Sequence, residues 1–229
     1  MTTPLVEQVR RAAVVVRERI EAAGGDPDAV RLVAVTKGQP ADAVAAATAA
    51  GLVDVGESYV QELTTKAEQL ADLADGPPVV RWHLIGRLQR NKVRHAAPLV
   101  HLWQSIDRLS LAAEVADRAP GAHVLVQVNV TGAEQQGGCP PARVPAVVEG
   151  CTDLGLDVRG LMAIGAQGAE PDIRAGFRLV RDLADRLGLP ERSMGMSGDL
   201  ELAVAEGSTI VRVGTALFGP RGGSQPVGK

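Results

Sequence analysis

Apolar residues recur along this chain with two alternating periods, one typical of helices and one typical of strands. The helical period opens the sequence, where apolar positions three and four residues apart predict an amphipathic helix. A Thr-Pro pair at residues 3–4 suits the start of that helix, and two glycines at residues 24–25 suit its end. The apolar positions of this helix are Val6, Val9, Ala13, Val16 and Ile20.

Short runs rich in β-branched residues follow, and a helical stretch separates each run from the next. Most of these runs are apolar on both faces, as expected of parallel strands that are covered by helices. Strands are predicted over residues 30–36, 53–55, 79–85, 100–105, 122–130, 158–164, 193–196 and 209–213. Helices are predicted over residues 40–50, 59–73, 91–98, 109–119, 142–152, 172–187 and 200–206.

This alternation of strands and helices predicts an α/β fold. The 229 residues of the chain show no break in composition, which favours a single (β/α)8 TIM barrel with an extra N-terminal helix. A doubly wound open sheet is the alternative, but the chain has neither a GxGxxG run nor a Walker loop to support a nucleotide site in such a sheet. The barrel is expected to span residues 1–221. Residues 222–229 are rich in Gly, Pro and Ser and are expected to form a flexible tail.

The composition excludes several classes of protein. Hydrophobic residues make up 45% of the chain, enough to bury a core, so disorder of the whole chain is excluded. A net charge of −3 and a shortage of aromatic residues argue against a nucleic-acid binder. Two cysteines and four scattered histidines form neither a disulfide scaffold nor a metal-binding motif. Because neither a signal peptide nor a membrane-spanning segment is recognisable, the chain is expected in a reducing cytoplasm.

Candidate chemistry follows the carboxyl ends of the predicted strands, where barrels place their sites. Lys37 comes after the first strand, either as an ordinary solvated lysine or as an amine kept partly neutral to attack an aldehyde. Arg212 stands alone in the apolar eighth strand and needs a partner, either a carboxylate or a ligand. Small residues after strands seven and eight, among them Ser197, Gly214 and Thr215, can expose N–H groups to a phosphate. Together these features predict a pocket for a phosphorylated aldehyde.

The third strand and the segment that follows it carry two features that point less specifically to a function. Trp82 and His83 alternate, so one of them faces the barrel interior, and the strand phase favours His83 as a pocket residue. A basic run follows over residues 87–95. It is interpreted as a solvated helix face, with a second anion contact at the same rim as the alternative.

Several motifs resemble those of the pyridoxal-phosphate homeostasis proteins. The run W-H-L-I-G-R-L-Q-R-N-K covers residues 82–92, and G-S-T-I-V-R-V-G-T-A-L-F-G covers residues 207–219. The resemblance extends in order from about residue 5 to residue 221. It implies a barrel similar to the N-terminal domain of alanine racemase. Shorter matches are A-V-T-K at 34–37, V-G-E-S-Y-V-Q-E at 55–62, S-I-D-R at 105–108, R-G-L-M-A-I at 159–164 and G-M-S at 195–197.

The resemblance also implies a cofactor, pyridoxal 5'-phosphate (PLP), bound as a Schiff base on Lys37. Phosphate contacts are then expected from Ser197, Gly214 and Thr215. Arg212 is expected to hydrogen-bond the pyridine nitrogen, which agrees with its need for a partner. Since an arginine keeps its proton, the ring nitrogen would stay unprotonated and the cofactor would be a weaker electron sink.

Two further positions are implied near the cofactor. Met162, near the end of the sixth strand, is expected beside the ring, although simple core filling is the alternative for a methionine. Ser58 stands where the family usually has Asn, close to the phenolic oxygen of the cofactor. That contact is therefore expected to be shorter, bridged by water or absent.

The resemblance favours a carrier of PLP, active in intracellular vitamin B6 homeostasis and delivery, without robust turnover of amino acids. The alternative is a PLP-dependent racemase or a related fold-type III enzyme, which needs bases on both faces of a carbanion. Lys37 can serve one face, and Tyr59 is the single tyrosine that could serve the other. An aldolase-like barrel for phosphosugars is a third and weaker reading. Expected partners are PLP and the apo forms of PLP-dependent enzymes, and a monomer is expected.

Overall fold

Eight parallel strands close into a barrel in chain order, and the last strand pairs with the first. The computed structural model describes residues 3–73, 78–133 and 135–219. Closure confirms the predicted (β/α)8 barrel and excludes the open sheet. The strands are β1 (Arg31–Val35), β2 (Asp54–Glu57), β3 (Arg81–Leu84), β4 (Val100–Ile106), β5 (His123–Gln127), β6 (Asp157–Met162), β7 (Glu191–Ser193) and β8 (Ile210–Val213).

Helices cover the outside of the barrel. Short 3-10 turns over Arg90–Lys92 and Pro141–Arg143 lead into the fourth and sixth helices. The helices are α1 (Thr3–Ala22), α2 (Ala41–Ala49), α3 (Val60–Ala71), α4 (Val93–Ala96), α5 (Leu109–Arg118), α6 (Val144–Asp153), α7 (Glu170–Arg186), α8 (Leu200–Ala205) and α9 (Thr215–Phe218).

The extra N-terminal helix α1 is confirmed and covers the seam where the barrel closes. Val9, Val16 and Ile20 of α1 are buried in one cluster with Leu32 of β1 and Val211 of β8. The three-to-four spacing seen in the sequence thus places one apolar stripe on the barrel. This contact fixes α1 beside α8 and α9, which border the carboxyl ends of β7 and β8.

The interior of the barrel is partly apolar and partly polar. Because side chains alternate along a strand, inward positions recur at every second residue. The inward apolar cluster consists of Val33, Leu102, Leu125, Met162 and Ile210. The remaining inward positions include four buried polar residues, His83, Gln104, Ser193 and Arg212.

All eight strands differ from their predicted ranges by one to three residues at one or both ends, and β7 and β2 are two of them. Strand β7 spans Glu191–Ser193 rather than 193–196, because its charged first residues belong to the rim of the barrel and interrupt the apolar pattern. The chain then turns at Gly195, whose φ is +88°, so the next residues form a loop. Strand β2 continues to Glu57, beyond the predicted end at residue 55. An ideal Cβ on Gly56 would lie 3.1 Å from Val33 Cγ1, so this strand passes its neighbour closely.

Several other sequence expectations concern absences. Within the described residues, no helix is long and apolar enough to cross a membrane. Over the same residues, no three His, Cys, Asp or Glu side chains group closely enough to hold a metal ion. Cys139 and Cys151 are free and buried, and burial raises the pKa of each thiol to about 11. The predicted tail over residues 222–229 lies outside the described residues.

Candidate functional site

A cavity of about 220 Å³ opens at the carboxyl ends of β1, β7 and β8. Apolar side chains of Val35, Ile85 and Met196 form part of its wall. The structure brings together five of the seven site residues suggested by the sequence. They are Lys37, Ser197, Arg212, Gly214 and Thr215.

The backbone on the N-terminal side of Lys37 is fixed by a buried ion pair. Lys66, on α3, donates from Nζ to the carbonyl oxygen of Thr36 at 2.7 Å and to Glu57 Oε1 at 2.6 Å. The hydroxyl of Thr36 donates to the same Glu57 oxygen at 2.6 Å. Residue 36 is therefore held at both its carbonyl and its side chain, which limits where Lys37 can emerge from β1.

The backbone on the other side of Lys37 is tied to the same cluster. The N–H of Gly38 donates to Glu62 Oε1 at 2.5 Å. The same carboxylate oxygen accepts from Lys66 Nζ at 2.7 Å. With Thr36, Glu57 and Glu62 as acceptors, each of the three protons of the Lys66 ammonium can be used.

Glu57 is a fully buried carboxylate, and opposing effects act on its pKa. It is 0% exposed, and burial raises its pKa, although hydrogen bonds from Lys66 and Thr36 act in the opposite direction. Its second oxygen, Oε2, has no hydrogen-bond partner among the described residues. Lys66, Glu57 and Glu62 were not predicted as site residues, because a lysine on a helix is ordinarily solvated.

Arg212 projects from β8 into the interior and reaches the cavity with a small part of its surface, being 4% exposed. Its Nη1 donates to Ser193 Oγ at 2.6 Å, and its Nη2 donates to the carbonyl oxygen of Ala163 at 2.8 Å. Burial lowers the pKa of Arg212 to about 10, against the opposing charge of Asp199. The guanidinium therefore stays charged near neutral pH and can only donate hydrogen bonds.

Ser197 lies in the loop between β7 and α8, which the N-terminal helix braces. The carbonyl of Ser197 accepts from Arg19 Nη2 of α1 at 3.0 Å, and Arg19 also pairs with Glu201 at 2.6 Å. The hydroxyl of Ser197 accepts from the N–H of Ala216 at 3.4 Å. This last contact joins the loop after β7 to the first turn after β8.

Gly214 and Thr215 form the opposite side of the cavity. An ideal Cβ on Gly214 would lie 3.0 Å from the carbonyl oxygen of Val35, so β8 and β1 approach closely at this end. A side chain at residue 214 would fill the space between the two strand ends. Because residue 214 is a glycine, its backbone stays accessible from the cavity.

The two remaining predicted residues lie elsewhere. Met162 is 0% exposed in the inward apolar cluster and does not line the cavity, so its place beside a ring stays a prediction. Ser58 lines a neighbouring groove together with Tyr59. His83 does face the interior, as the strand phase suggested, but it is hydrogen-bonded to Asp54 and lies outside the cavity.

The groove beside Ser58 also contains part of the basic run. Arg87 and Lys92 line it together with Arg108. Arg90, from the same run, pairs instead with Glu114 on α5. The basic residues thus divide between a groove next to the cavity and an ordinary exposed ion pair.

The cavity combines three kinds of group that suit one kind of ligand. Lys37 offers an amine, Arg212 offers a permanent donor, and the loops after β7 and β8 offer a hydroxyl and backbone N–H groups. An amine can capture an aldehyde, a donor can bind a ring nitrogen, and N–H groups can bind phosphate. The residues present therefore fit pyridoxal phosphate, whose three polar ends match these three groups.

The sequence matches the family described as alanine racemase, N-terminal domain, over residues 15–222. A pyridoxal phosphate homeostasis protein from Pseudomonas aeruginosa is 44% identical over 225 residues, covering 95% of this chain and 96% of the relative. The protein of that name from Aquifex aeolicus is 39% identical, covering 94% and 97%.

Solved structures agree with these matches. PipY of Synechococcus elongatus, solved with PLP bound, superposes with a TM-score of 0.74 at 35% identity, covering 89% of this chain and all of that one. Alanine racemase from Corynebacterium glutamicum superposes with a TM-score of 0.66 at 16% identity, covering 97% of this chain and 62% of that one. The second likeness concerns the fold alone.

Proposed function

Because the chain belongs to the family of pyridoxal phosphate homeostasis proteins, built on the alanine racemase N-terminal domain, we propose that it holds PLP on Lys37 as a carrier. The observation that carries this proposal is the grouping of Lys37, Arg212 and Ser197 around one cavity. These residues come from three separate strand ends, and each matches a different end of the cofactor.

PLP, when bound, supplies an aldehyde that a lysine amine can capture with loss of one water. Lys37 provides that amine, and the clamp of Lys66, Glu57 and Glu62 fixes the backbone on both sides of it. Ser197 and the N–H groups after β8 bind the phosphate. Arg212 donates to the pyridine nitrogen and keeps its own proton, so this chain leaves that nitrogen unprotonated.

The carrier role is favoured over an amino-acid racemase by the position of the single tyrosine. A racemase needs a second base opposite the lysine. Tyr59 is 68% exposed and lines the groove beside Ser58, not the cavity of Lys37. A second base is therefore missing from the residues that line the cavity in the described part of the chain.

The test of binding is reduction with borohydride. Purified protein incubated with PLP should acquire a stable adduct, and peptide mapping should locate it on Lys37. Lys37→Ala should lose the adduct, whereas Lys92→Ala, at an exposed lysine of the neighbouring groove, should keep it. An adduct found on Lys92 or Lys66 in the native protein would contradict the proposal.

The test of turnover is exchange of the α-proton in deuterated water. PLP-loaded protein is incubated with L-alanine, L-serine and L-threonine, and deuterium incorporation is followed by NMR. A missing base costs about 10²–10⁴-fold in rate, so exchange should not exceed that of free PLP. Exchange well above that level, and lost in Lys37→Ala, would identify an enzyme, with Tyr59 as the first residue to examine.

The recipients of the cofactor follow from the same proposal. Apo forms of PLP-dependent enzymes are the expected acceptors, and transfer can be followed as recovery of their activity on mixing with the loaded protein.

A monomeric state and a cytoplasmic location remain predictions from the sequence. Light scattering of the purified protein tests the first of these.

A further inference from the structure

A single file of hydrogen-bonded side chains crosses the interior of the barrel. Arg212 Nη1 donates to Ser193 Oγ at 2.6 Å, and Ser193 Oγ donates to Gln104 Oε1 at 2.6 Å. Gln104 Nε2 lies 2.7 Å from His83 Nδ1, and His83 Nε2 lies 2.9 Å from Asp54 Oδ1. The chain of contacts starts at the cavity and ends at the first residue of β2, at the opposite end of the barrel.

The far end of the file is anchored by a second arginine. Arg81, the first residue of β3, donates from Nη2 to Asp54 Oδ2 at 2.6 Å. Burial raises the pKa of Asp54, but the hydrogen bonds from His83 and Arg81 and the charge of Arg81 hold that pKa below its usual value. Asp54 is therefore an ionised carboxylate, which can only accept hydrogen bonds.

The two ends fix the direction of every hydrogen bond between them. Arg212 can only donate, so Ser193 accepts from it and passes its own proton to the amide oxygen of Gln104. The amide nitrogen of Gln104 then donates to His83 Nδ1. His83 consequently carries its proton on Nε2 and donates it to Asp54. Reversing any one member would set two donors or two acceptors face to face at a neighbouring contact.

The burial of the file agrees with a neutral histidine. His83, Gln104 and Ser193 are each 0% exposed. Burial lowers the pKa of His83, against the opposing effect of Asp54. A buried polar file of this kind costs desolvation that apolar side chains would avoid. Leu102 and Leu125 fill the same interior without any such requirement.

We propose that Ser193, Gln104 and His83 are positioning residues for Arg212, which they hold in one orientation towards the cavity by a one-way file of hydrogen bonds anchored on Asp54. Arg212 is the one member of the file that lines the cavity. Its contact with the cofactor ring therefore depends on residues that never touch the ligand. This inference rests on the proposed binding of PLP.

The first experiment is a double-mutant cycle on PLP affinity, measured by absorbance titration. Ser193→Ala and Gln104→Leu should each weaken binding about tenfold, the scale of a hydrogen bond to a charged group. In an Arg212→Met background the same changes should alter affinity less than about twofold, because nothing is left to position. Losses that simply add in the two backgrounds would overturn the proposal.

Leu125→Ala is the matched control for packing. It opens a cavity in the same interior without removing any hydrogen bond of the file. It should lower the thermal unfolding temperature and leave PLP affinity unchanged. A loss of affinity equal to that of Gln104→Leu would show that the file acts only through stability. If Gln104→Leu fails to fold, Ser193→Ala, which removes one oxygen atom, carries the cycle alone.

The second experiment needs no cofactor. Nitrogen-15 NMR of histidine-labelled apo protein should show His83 neutral at pH 7 with its proton on Nε2. A proton on Nδ1, or a charged ring, would contradict the direction of the file. This readout separates the two proposals, since a native protein without an adduct on Lys37 would refute the proposed function whatever the state of His83.

Discussion

Lys66 sets the geometry of the candidate site without lining its cavity. It is a buried lysine, 3% exposed, whose ammonium contacts two carboxylates and the carbonyl of Thr36. Removing one partner of a buried ion pair leaves an uncompensated charge, which costs far more than losing an exposed pair. Lys66 therefore links the stability of β1 and α3 to the position of Lys37.

Lys66→Met is expected to lower the free energy of unfolding by about 3 kcal/mol or more, because Glu57 and Glu62 lose their shared cation. Formation of the borohydride-stable adduct on Lys37 should also slow. Urea unfolding and the time course of adduct formation measure the two effects. Lys66→Arg should recover part of both, and Lys92→Met, at an exposed lysine, should change neither. An unaltered rate of adduct formation in Lys66→Met would argue against the clamp.

At the scale of elements, α1 does more than cover the closing seam of the barrel. Arg19 near its end holds Glu201 of α8 and the carbonyl of Ser197 in the loop between β7 and α8. The pair with Glu201 raises the pKa of Arg19, and both side chains are partly exposed. The ion pair by itself thus contributes little stability. The contact of Arg19 with the carbonyl of Ser197 matters more for the proposed binding site, because it holds the loop that lines the cavity.

Arg19→Met is expected to weaken PLP binding by about threefold to tenfold, the effect of losing the one hydrogen bond that holds the carbonyl of Ser197 in the loop between β7 and α8. Binding of pyridoxal, which lacks the phosphate, should change much less. Titration of both ligands checks this difference. Arg11→Met, at an exposed position of the same helix, is the control. Equal losses for the two ligands would show that α1 acts on the barrel as a whole.

The loop after β3 depends on a close backbone approach. An ideal Cβ on Gly86 would overlap the carbonyl group of Ser58, which cannot move without shifting the end of β2. Gly86→Ala is expected to cost about 1–3 kcal/mol in the free energy of unfolding, as overpacking does. Gly198→Ala, with no atom within 4 Å of its added Cβ, should cost much less. Urea unfolding of the two variants tests this contrast.

At the scale of the whole molecule, the amino end of the barrel is closed by charged groups of both signs. Arg31 pairs with Glu191 at 3.2 Å, and His123 lies 2.8 Å from Asp157. The pair of His123 with Asp157 and the pair of Arg81 with Asp54 each join adjacent strands, whereas Arg31 of β1 reaches past β8 to Glu191 of β7. Because the folded chain holds the pKa of Asp54 below its usual value, protonation of Asp54 at low pH should weaken this end.

Stability should fall with acidification through the titration of His83. Burial lowers the pKa of the folded His83 below 6.5, so the unfolded chain takes up a proton first as the pH falls. The contribution has a limiting slope of about 1.4 kcal/mol per pH unit. Unfolding free energies measured between pH 7 and pH 5 should show a flatter profile in His83→Gln.

Glu57 acts with the opposite sign. Burial raises its pKa above 4.5, so its contribution is full below that value and is lost as the pH rises through its folded pKa. Comparing His83→Gln with the native protein leaves this contribution in both profiles. The difference between the profiles therefore reports His83 together with its effects on His101 and Asp54. Identical slopes would show that His83 does not titrate on unfolding.

The residue pattern was enough to predict the barrel and to place its cavity. Strand and helix periods are local properties of the sequence. They predicted the order of the elements correctly and the strand boundaries to within a few residues. The carboxyl ends of parallel strands meet on one face, so Lys37, Ser197 and Arg212 could be assigned to one pocket from their strands alone. The charged start of β7 escaped this reasoning, because Glu191 and Arg192 belong to the rim rather than to an apolar strand.

The pairing of the buried polar groups became visible in the folded barrel and not before. Arg212 and Ser193 are 19 residues apart, and Ser193 and Gln104 are 89 residues apart. Lys66 and Glu57 are close in sequence, yet nothing local shows that both are buried. Such pairs form because closing the barrel removes water from inward positions, and each buried donor must then find an acceptor on a neighbouring strand or across the interior of the barrel. Periodicity shows which residues face inward, but the strand registers decide which of them touch.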